Sequence, residues 1–162
     1  MLTPKLSFQP AVFWLTAGGL GFLRPAPGTW GSAGALVFWW FLLSPLHWSL
    51  QLVIIAAYFA LSWWLCNRLI EQLGLRDEPQ IVADEVAGMW LALAWLPQSL
   101  SWALAAFVLF RAADILKPGP IGVLDRRLHN GLGIMADDLL AGGLCALVLG
   151  LAAIALPSGL GS

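Results

Sequence analysis

The chain has 162 residues, the length of one domain; 60% of them are apolar and only 10% are charged. Soluble proteins carry roughly 45–50% apolar and about 25% charged residues, so this composition is that of an integral membrane protein and excludes intrinsic disorder. Eight basic against nine acidic residues leave a net charge of −1, which excludes an electrostatic nucleic-acid binder, and two cysteines cannot make a disulfide framework or a thiolate zinc site.

From the N-terminus, Leu6–Leu23 is uncharged but interrupted by Pro10, Gly18, Gly19 and Gly21. It reads as a short interfacial or re-entrant helix over Ala11–Ala17. Lys5 alone does not make the basic start of a removable signal. No Asp, Glu, Lys or Arg then occurs from Pro25 to Asn67. A bilayer span takes about 20 apolar residues, so this run predicts two helices, broken at Ser44-Pro45-Leu46-His47 because proline disfavours helix in the residue before it.

A second charge-free run covers Val86–Phe110, with Pro97-Gln98-Ser99 in its middle. Two short helices, Ile81–Leu96 and Ser101–Leu116, would each measure roughly 24 Å. A third run, from Leu139 onward, supplies the last helix. The expected architecture is therefore all-α: a polytopic bundle of about five spans plus the short N-terminal helix, with residues 1–162 as one domain.

The hairpin reading rests on the basic residues. With it, Arg24, Arg68, Arg76, Arg111, Lys117, Arg126 and Arg127 all fall on one side, while the far loops Ser44–Trp48 and Pro97–Ser101 carry none. Lys and Arg concentrate on the cytoplasmic side of membrane proteins, so that side, including Gly119–Asn130, is expected to face the cytoplasm. Trp48, Trp95 and Trp102 would lie beside the far loops as an aromatic belt.

Three charged clusters then converge at one level. Asp84-Glu85 open the third span and Asp137-Asp138 the last, where acids also serve simply to complement the helix dipole. Neighbouring residues on a helix point about 100° apart, so one of each pair is expected to cap while the other faces inward. Arg111, Asp114 and Lys117 recur every three residues and predict one ridge at the end of the fourth span. Charges near hydrocarbon are expensive and usually pair, line a wet cavity or do chemistry.

Several carboxylates without a nearby His or Cys pair suit a hard cation, Mg²⁺ above all, and Lys/Arg beside them suit an anionic phosphate. The turns Pro27-Gly28-Thr29-Trp30-Gly31-Ser32 and Asn130-Gly131-Leu132-Gly133 each lead into an apolar segment and offer backbone N–H groups to such a ligand. Glycine there serves close helix packing equally well. Other phosphatase chemistries lack their residues: there is no Cys-x5-Arg loop, no Asp-x-Asp motif, no histidine-nucleophile set, no CDP-alcohol phosphotransferase pattern and no P-loop.

The order and content of four segments resemble the phosphatidylglycerophosphatase A family. They are Pro27–Ser32, Asp84-Glu85-Val86-Ala87-Gly88-Met89-Trp90, Phe110-Arg111-Ala112-Ala113-Asp114-Ile115-Leu116-Lys117-Pro118-Gly119-Pro120-Ile121 and Gly131-Leu132-Gly133-Ile134-Met135-Ala136-Asp137-Asp138. Asn130 departs from the glycine expected there. The resemblance implies a Mg²⁺-dependent bacterial inner-membrane enzyme that hydrolyses phosphatidylglycerophosphate to phosphatidylglycerol and phosphate, with one helix surrounded by others.

On this reading Glu85, Asp114 and Asp138 are the first expected Mg²⁺ ligands, and Asp84 and Asp137 are further ligands or the base that orients water. Arg111 and Lys117 hold the terminal phosphate, with Thr29, Ser32 and the backbone at Gly28, Gly131 and Gly133 contributing to its pocket. The substrate is an anionic lipid, and no protein partner is implied. The competing readings are a non-catalytic membrane module, such as a transporter subunit or scaffold, and a lipid phosphotransferase.

Overall fold

In the computed structural model, which describes residues 9–73, 78–117 and 131–155, all regular structure is helical. The helices are α1 (Pro10–Leu15), α2 (Pro27–Phe38, continued by a π-helical turn Trp39–Leu43), α3 (Trp48–Leu73), α4 (Ala83–Leu93), α5 (Leu100–Leu116) and α6 (Gly131–Ala155). A 3₁₀ turn, Leu20–Phe22, joins α1 to α2.

The helix breaks sit where the prolines stand. Pro27 occupies the first turn of α2, where its missing N–H costs nothing. The chain turns at 44–47 and restarts as α3 at Trp48, and it turns again between α4 and α5. There the Ser99 side chain accepts the Trp102 N–H at 3.4 Å and caps α5. Lys117 ends α5 in a left-handed conformation, φ 43°. Consecutive long helices thus alternate in direction. Arg24, Arg68, Arg111 and Lys117 fall near one end of the bundle, and the 44–47 and 94–99 turns at the other.

α4 is the central element. Nine of its 11 residues are buried, among them Val86, Met89, Trp90 and Leu93, and α2, α3, α5 and α6 all pack on it. Its closest neighbour is α6. A methyl group at Gly142 would strike the Gly88 carbonyl, and one at Gly88 would come within 2.7 Å of the Phe110 ring. Small residues let the two backbones meet, as is common between membrane helices. α1 lies on α3, held by the Trp14 indole N–H donating to Ser62 Oγ at 2.9 Å. The Leu15 carbonyl accepts the Val82 N–H at 2.9 Å, tying α1 to the start of α4.

The outer faces are apolar. Phe41, Val53, Leu100, Val108, Leu147, Leu151 and Ile154 are all more than half exposed, the pattern of a lipid-facing surface.

Among the described residues, two helices are long and apolar enough to cross a bilayer, Trp48–Gln72 and Met135–Ala155. These two do not support the expectation of about five spans. α5 has 17 residues and α4 has 11; at 1.5 Å per residue these reach about 26 and 17 Å, short of a hydrocarbon core of about 30 Å. α4 is enclosed by its neighbours and need not match the lipid thickness. The last helix also starts earlier than expected, at Gly131, so Asp137-Asp138 stand in its second turn and do not open it.

Candidate active site

The first turn of α4 carries two acids, Asp84 and Glu85. α6, drawn against α4 at Gly88 and Gly142, brings Asp138 to the same place. One carboxylate oxygen from each of Asp84, Glu85 and Asp138 lies within 4.8 Å of the others. Asp84 and Asp138 are buried, and Glu85 nearly so. The Glu85 backbone N–H donates to Asp84 Oδ1 at 3.1 Å.

Three carboxylates gathered out of water repel one another, and burial of each uncompensated charge costs several kcal/mol. The donors are all oxygen, the set that a hard divalent cation such as Mg²⁺ prefers. Glu85 Oε2 is buried and takes no hydrogen bond in the structure. A buried acceptor left without a donor is uncommon. Atom type, spacing and this orphan acceptor all fit a site for a hard divalent cation.

Arg111 on α5 forms the cationic wall. Its Nη1 lies 2.6 Å from Asp114 Oδ2 and 3.9 Å from Glu85 Oε1, and donates to Ser32 Oγ at 3.4 Å. Ser32 in turn donates to the Gly28 carbonyl one helical turn earlier, at 2.8 Å. Arg111 Nε is buried and has no acceptor. α2 therefore presents its N-terminus to the cluster. Gly28 is so close that any β-carbon would collide with Glu85 Oε1 and stand 3.1 Å from Arg111 Nη1. Thr29, the next residue, is half-buried beside it. No side chain caps this end, so the amides of its first turn point outward.

Lys117 departs from the expected ridge. Arg111 and Asp114 do pair along α5, but the Lys117 ammonium reaches across to Asp137 Oδ2 at 2.8 Å on α6. Of the second acid pair, Asp138 joins the carboxylate cluster and Asp137 takes the lysine, as the 100° rule requires. The first pair does not divide: both Asp84 and Glu85 belong to the cluster. Gly131 and Gly133 lie in the first turn of α6, and Asn130 and the segment Pro118–His129 lie outside the described residues. The residues that bring the acids together, Gly88 and Gly142, have no chemistry to flag them. Their signal was their place among Ala87, Ala141 and Gly143.

A family model described as Phosphatidylglycerophosphatase A matches residues 13–153. The chain belongs to the phosphatidylglycerophosphatase A family. Relatives of that name include one from Haemophilus influenzae, 44% identical over 139 residues and covering 85% of each chain. Another, from Escherichia coli, is 39% identical over 132 residues, 81% of this chain and 76% of its own. A Bacteroides thetaiotaomicron relative, 38% identical over 147 residues (84% of this chain, 88% of its own), is named provisionally as a phosphatidylinositol-3-phosphatase. No solved structure matches. As a member of this phosphatase family the chain is an enzyme, and its buried polar cluster lies within the matched span.

Proposed function

We propose that this protein removes the terminal phosphate of phosphatidylglycerophosphate, yielding phosphatidylglycerol and inorganic phosphate, with Mg²⁺ held by Glu85, Asp138 and Asp84 and by Asp114 beside them. The observation that carries this reading is the meeting of three carboxylate oxygens within 4.8 Å at a level where Glu85 Oε2 has no donor. Bound there, the ion supplies charge neutralisation for the phosphoryl oxygens and polarises the phosphorus centre.

The remaining chemistry is assigned to this chain's own groups. Arg111, with Nε open and Nη1 anchored by Asp114, holds the transferring phosphate and balances the charge that builds on its oxygens. The amides of Gly28 and Thr29 at the start of α2, the Thr29 and Ser32 hydroxyls, and the first turn of α6 at Gly131 and Gly133 complete the pocket. Lys117 holds Asp137 and lends positive charge to its rim. Asp84, or Asp137, orients the attacking water and takes its proton as oxygen bonds to phosphorus in line with the departing glycerol oxygen. That oxygen leaves with the bonding pair and is protonated. Residues 1–162 act as one domain.

The setting is the bacterial inner membrane, with the site toward the cytoplasm. Arg24, Arg68, Arg111 and Lys117 at the site end support that orientation. α3 and α6 cross the bilayer, and α2, α4 and α5 pack against them as shorter helices. The test is phosphate release by the purified protein from phosphatidylglycerophosphate, with phosphatidic acid and a phosphatidylinositol 3-phosphate as competing substrates. Preferential release from the first supports the reading. No release from it under varied metal and detergent conditions refutes it, and phosphate transfer to an alcohol would mark a phosphotransferase.

A further inference from the structure

The substrate's phosphate is tied covalently to two acyl chains, so a site inside a helix bundle needs a sideways opening to the lipid. The contacts around α4 close most routes at the level of the acids. α6 is pressed against α4 at Gly88 and Gly142. The Lys117–Asp137 ion pair, 2.8 Å, spans α5 and α6. α1 covers α3, bound through Trp14 and Ser62, and the Leu20 side chain of the 3₁₀ turn abuts Gly34 of α2.

The seam between α2 and α5 differs. Its link at this level is the long Arg111–Ser32 hydrogen bond, 3.4 Å. At about 100° per residue, Leu104, Val108 and Ile115 share one face of α5, with Arg111 at its edge. These three apolar side chains are 52%, 66% and 69% exposed. On α2 the strip beside Gly28 and Ser32 is formed by Thr29, Ala33 and Leu36, all half-buried and the first two small. An apolar, lipid-facing stripe thus runs directly up to the guanidinium.

We propose that the acyl chains of the substrate leave the site laterally through this α2–α5 seam, lined by Ala33 on α2 and by Val108 and Ile115 on α5. The proposal rests on the phosphatase reading above. Ala33 and Val108 touch no reacting group; they decide whether a diacyl lipid can seat its phosphate beside Arg111. Binding energy from such remote parts of a substrate is spent on orienting the reacting centre.

The experiment compares Ala33→Trp, Val108→Trp and, as a control on the lipid face of α6, Leu147→Trp. Each is assayed with long-chain phosphatidylglycerophosphate in vesicles and with its water-soluble deacylated form, glycerophosphoglycerophosphate. Filling the seam is expected to lower kcat/KM for the diacyl lipid by roughly tenfold to a hundredfold and to leave the deacylated substrate within about twofold. Leu147→Trp is expected to change neither.

A second readout does not depend on turnover. A diazirine-bearing acyl chain in the substrate should crosslink near Ala33 and Val108, and excess unlabelled substrate should suppress that crosslinking. Equal losses on both substrates, a loss with Leu147→Trp as large as with Ala33→Trp, or crosslinks confined to α3 and α6 would overturn the seam. Wild-type protein that releases phosphate from neither substrate would instead strike the phosphatase reading itself.

Discussion

The two ends of the bundle treat buried polarity in opposite ways. At the end holding the 44–47 turn, Gln51 is almost wholly buried yet fully used: its Oε1 accepts the Trp39 indole N–H at 2.8 Å and its Nε2 donates to the Leu46 carbonyl at 3.0 Å. Gln98, at the surface of the same end, donates its Nε2 to the Trp40 carbonyl at 3.2 Å. At the other end, Glu85 Oε2 and Arg111 Nε are buried with no partner, and three carboxylates crowd within 4.8 Å. One end is finished by folding. The other, on the proposed reading, is finished by a ligand, and the difference separates polarity that holds the fold from polarity assigned to chemistry.

Substitutions at the two ends should therefore fail differently. The largest effect is expected for Glu85→Gln, which keeps the shape but removes a charge a hard cation needs. Turnover should fall on the order of a thousandfold, the worth of several kcal/mol of metal-assisted stabilisation, while melting in detergent is little changed. Asp114→Asn should behave alike. A wild-type rate at saturating Mg²⁺ in both variants would remove them from the ligand set.

Next comes Gly28→Ala. The added methyl collides with Glu85 Oε1 and crowds Arg111 Nη1, so displacement of the two groups should cost roughly a hundredfold in kcat. Lys117→Ala comes third, at roughly tenfold, because it removes the charge that orients Asp137 without touching the carboxylate cluster. It should still exceed the effect of Arg127→Ala, whose expected role is contact with anionic headgroups. Measuring kcat/KM for both in mixed micelles at one salt concentration decides the order. Smallest for activity is Gln51→Ala at the far end. It orphans the Trp39 N–H and should lower stability by about 1–3 kcal/mol in a thermal or denaturant melt, with kcat unaltered.

How legible this was in the sequence follows from range. Breaks set by local chemistry were readable, because Pro45 and Pro97 act on their immediate neighbours, and both turns stand where those prolines do. The convergence of Asp84-Glu85, Arg111-Asp114 and Asp138 was readable from charge placement alone, since an apolar chain has few places to put charge. Tertiary partners were not. The Arg111–Ser32 bond joins positions 79 residues apart, and Lys117, the left-handed residue that ends α5, pairs with Asp137 20 residues on. Gly28 was legible as a donor of backbone N–H but not as a clearance for Glu85, which needs the α2–α4 packing to be known. Span number was not legible for a related reason. Hydropathy registers α4 as apolar whether it faces lipid or, as here, other helices.

On the proposed reading the buried carboxylates take a divalent cation that phosphate cleavage requires. The most direct measurement is phosphate release from phosphatidylglycerophosphate by chelator-treated protein as Mg²⁺ is titrated back, for the wild type and Glu85→Gln in parallel. No turnover is expected in chelator, with saturable recovery on Mg²⁺ in the wild type and none in the variant at the same concentrations. Wild-type turnover that persists undiminished in chelator, or a variant that recovers along the same curve, would contradict it.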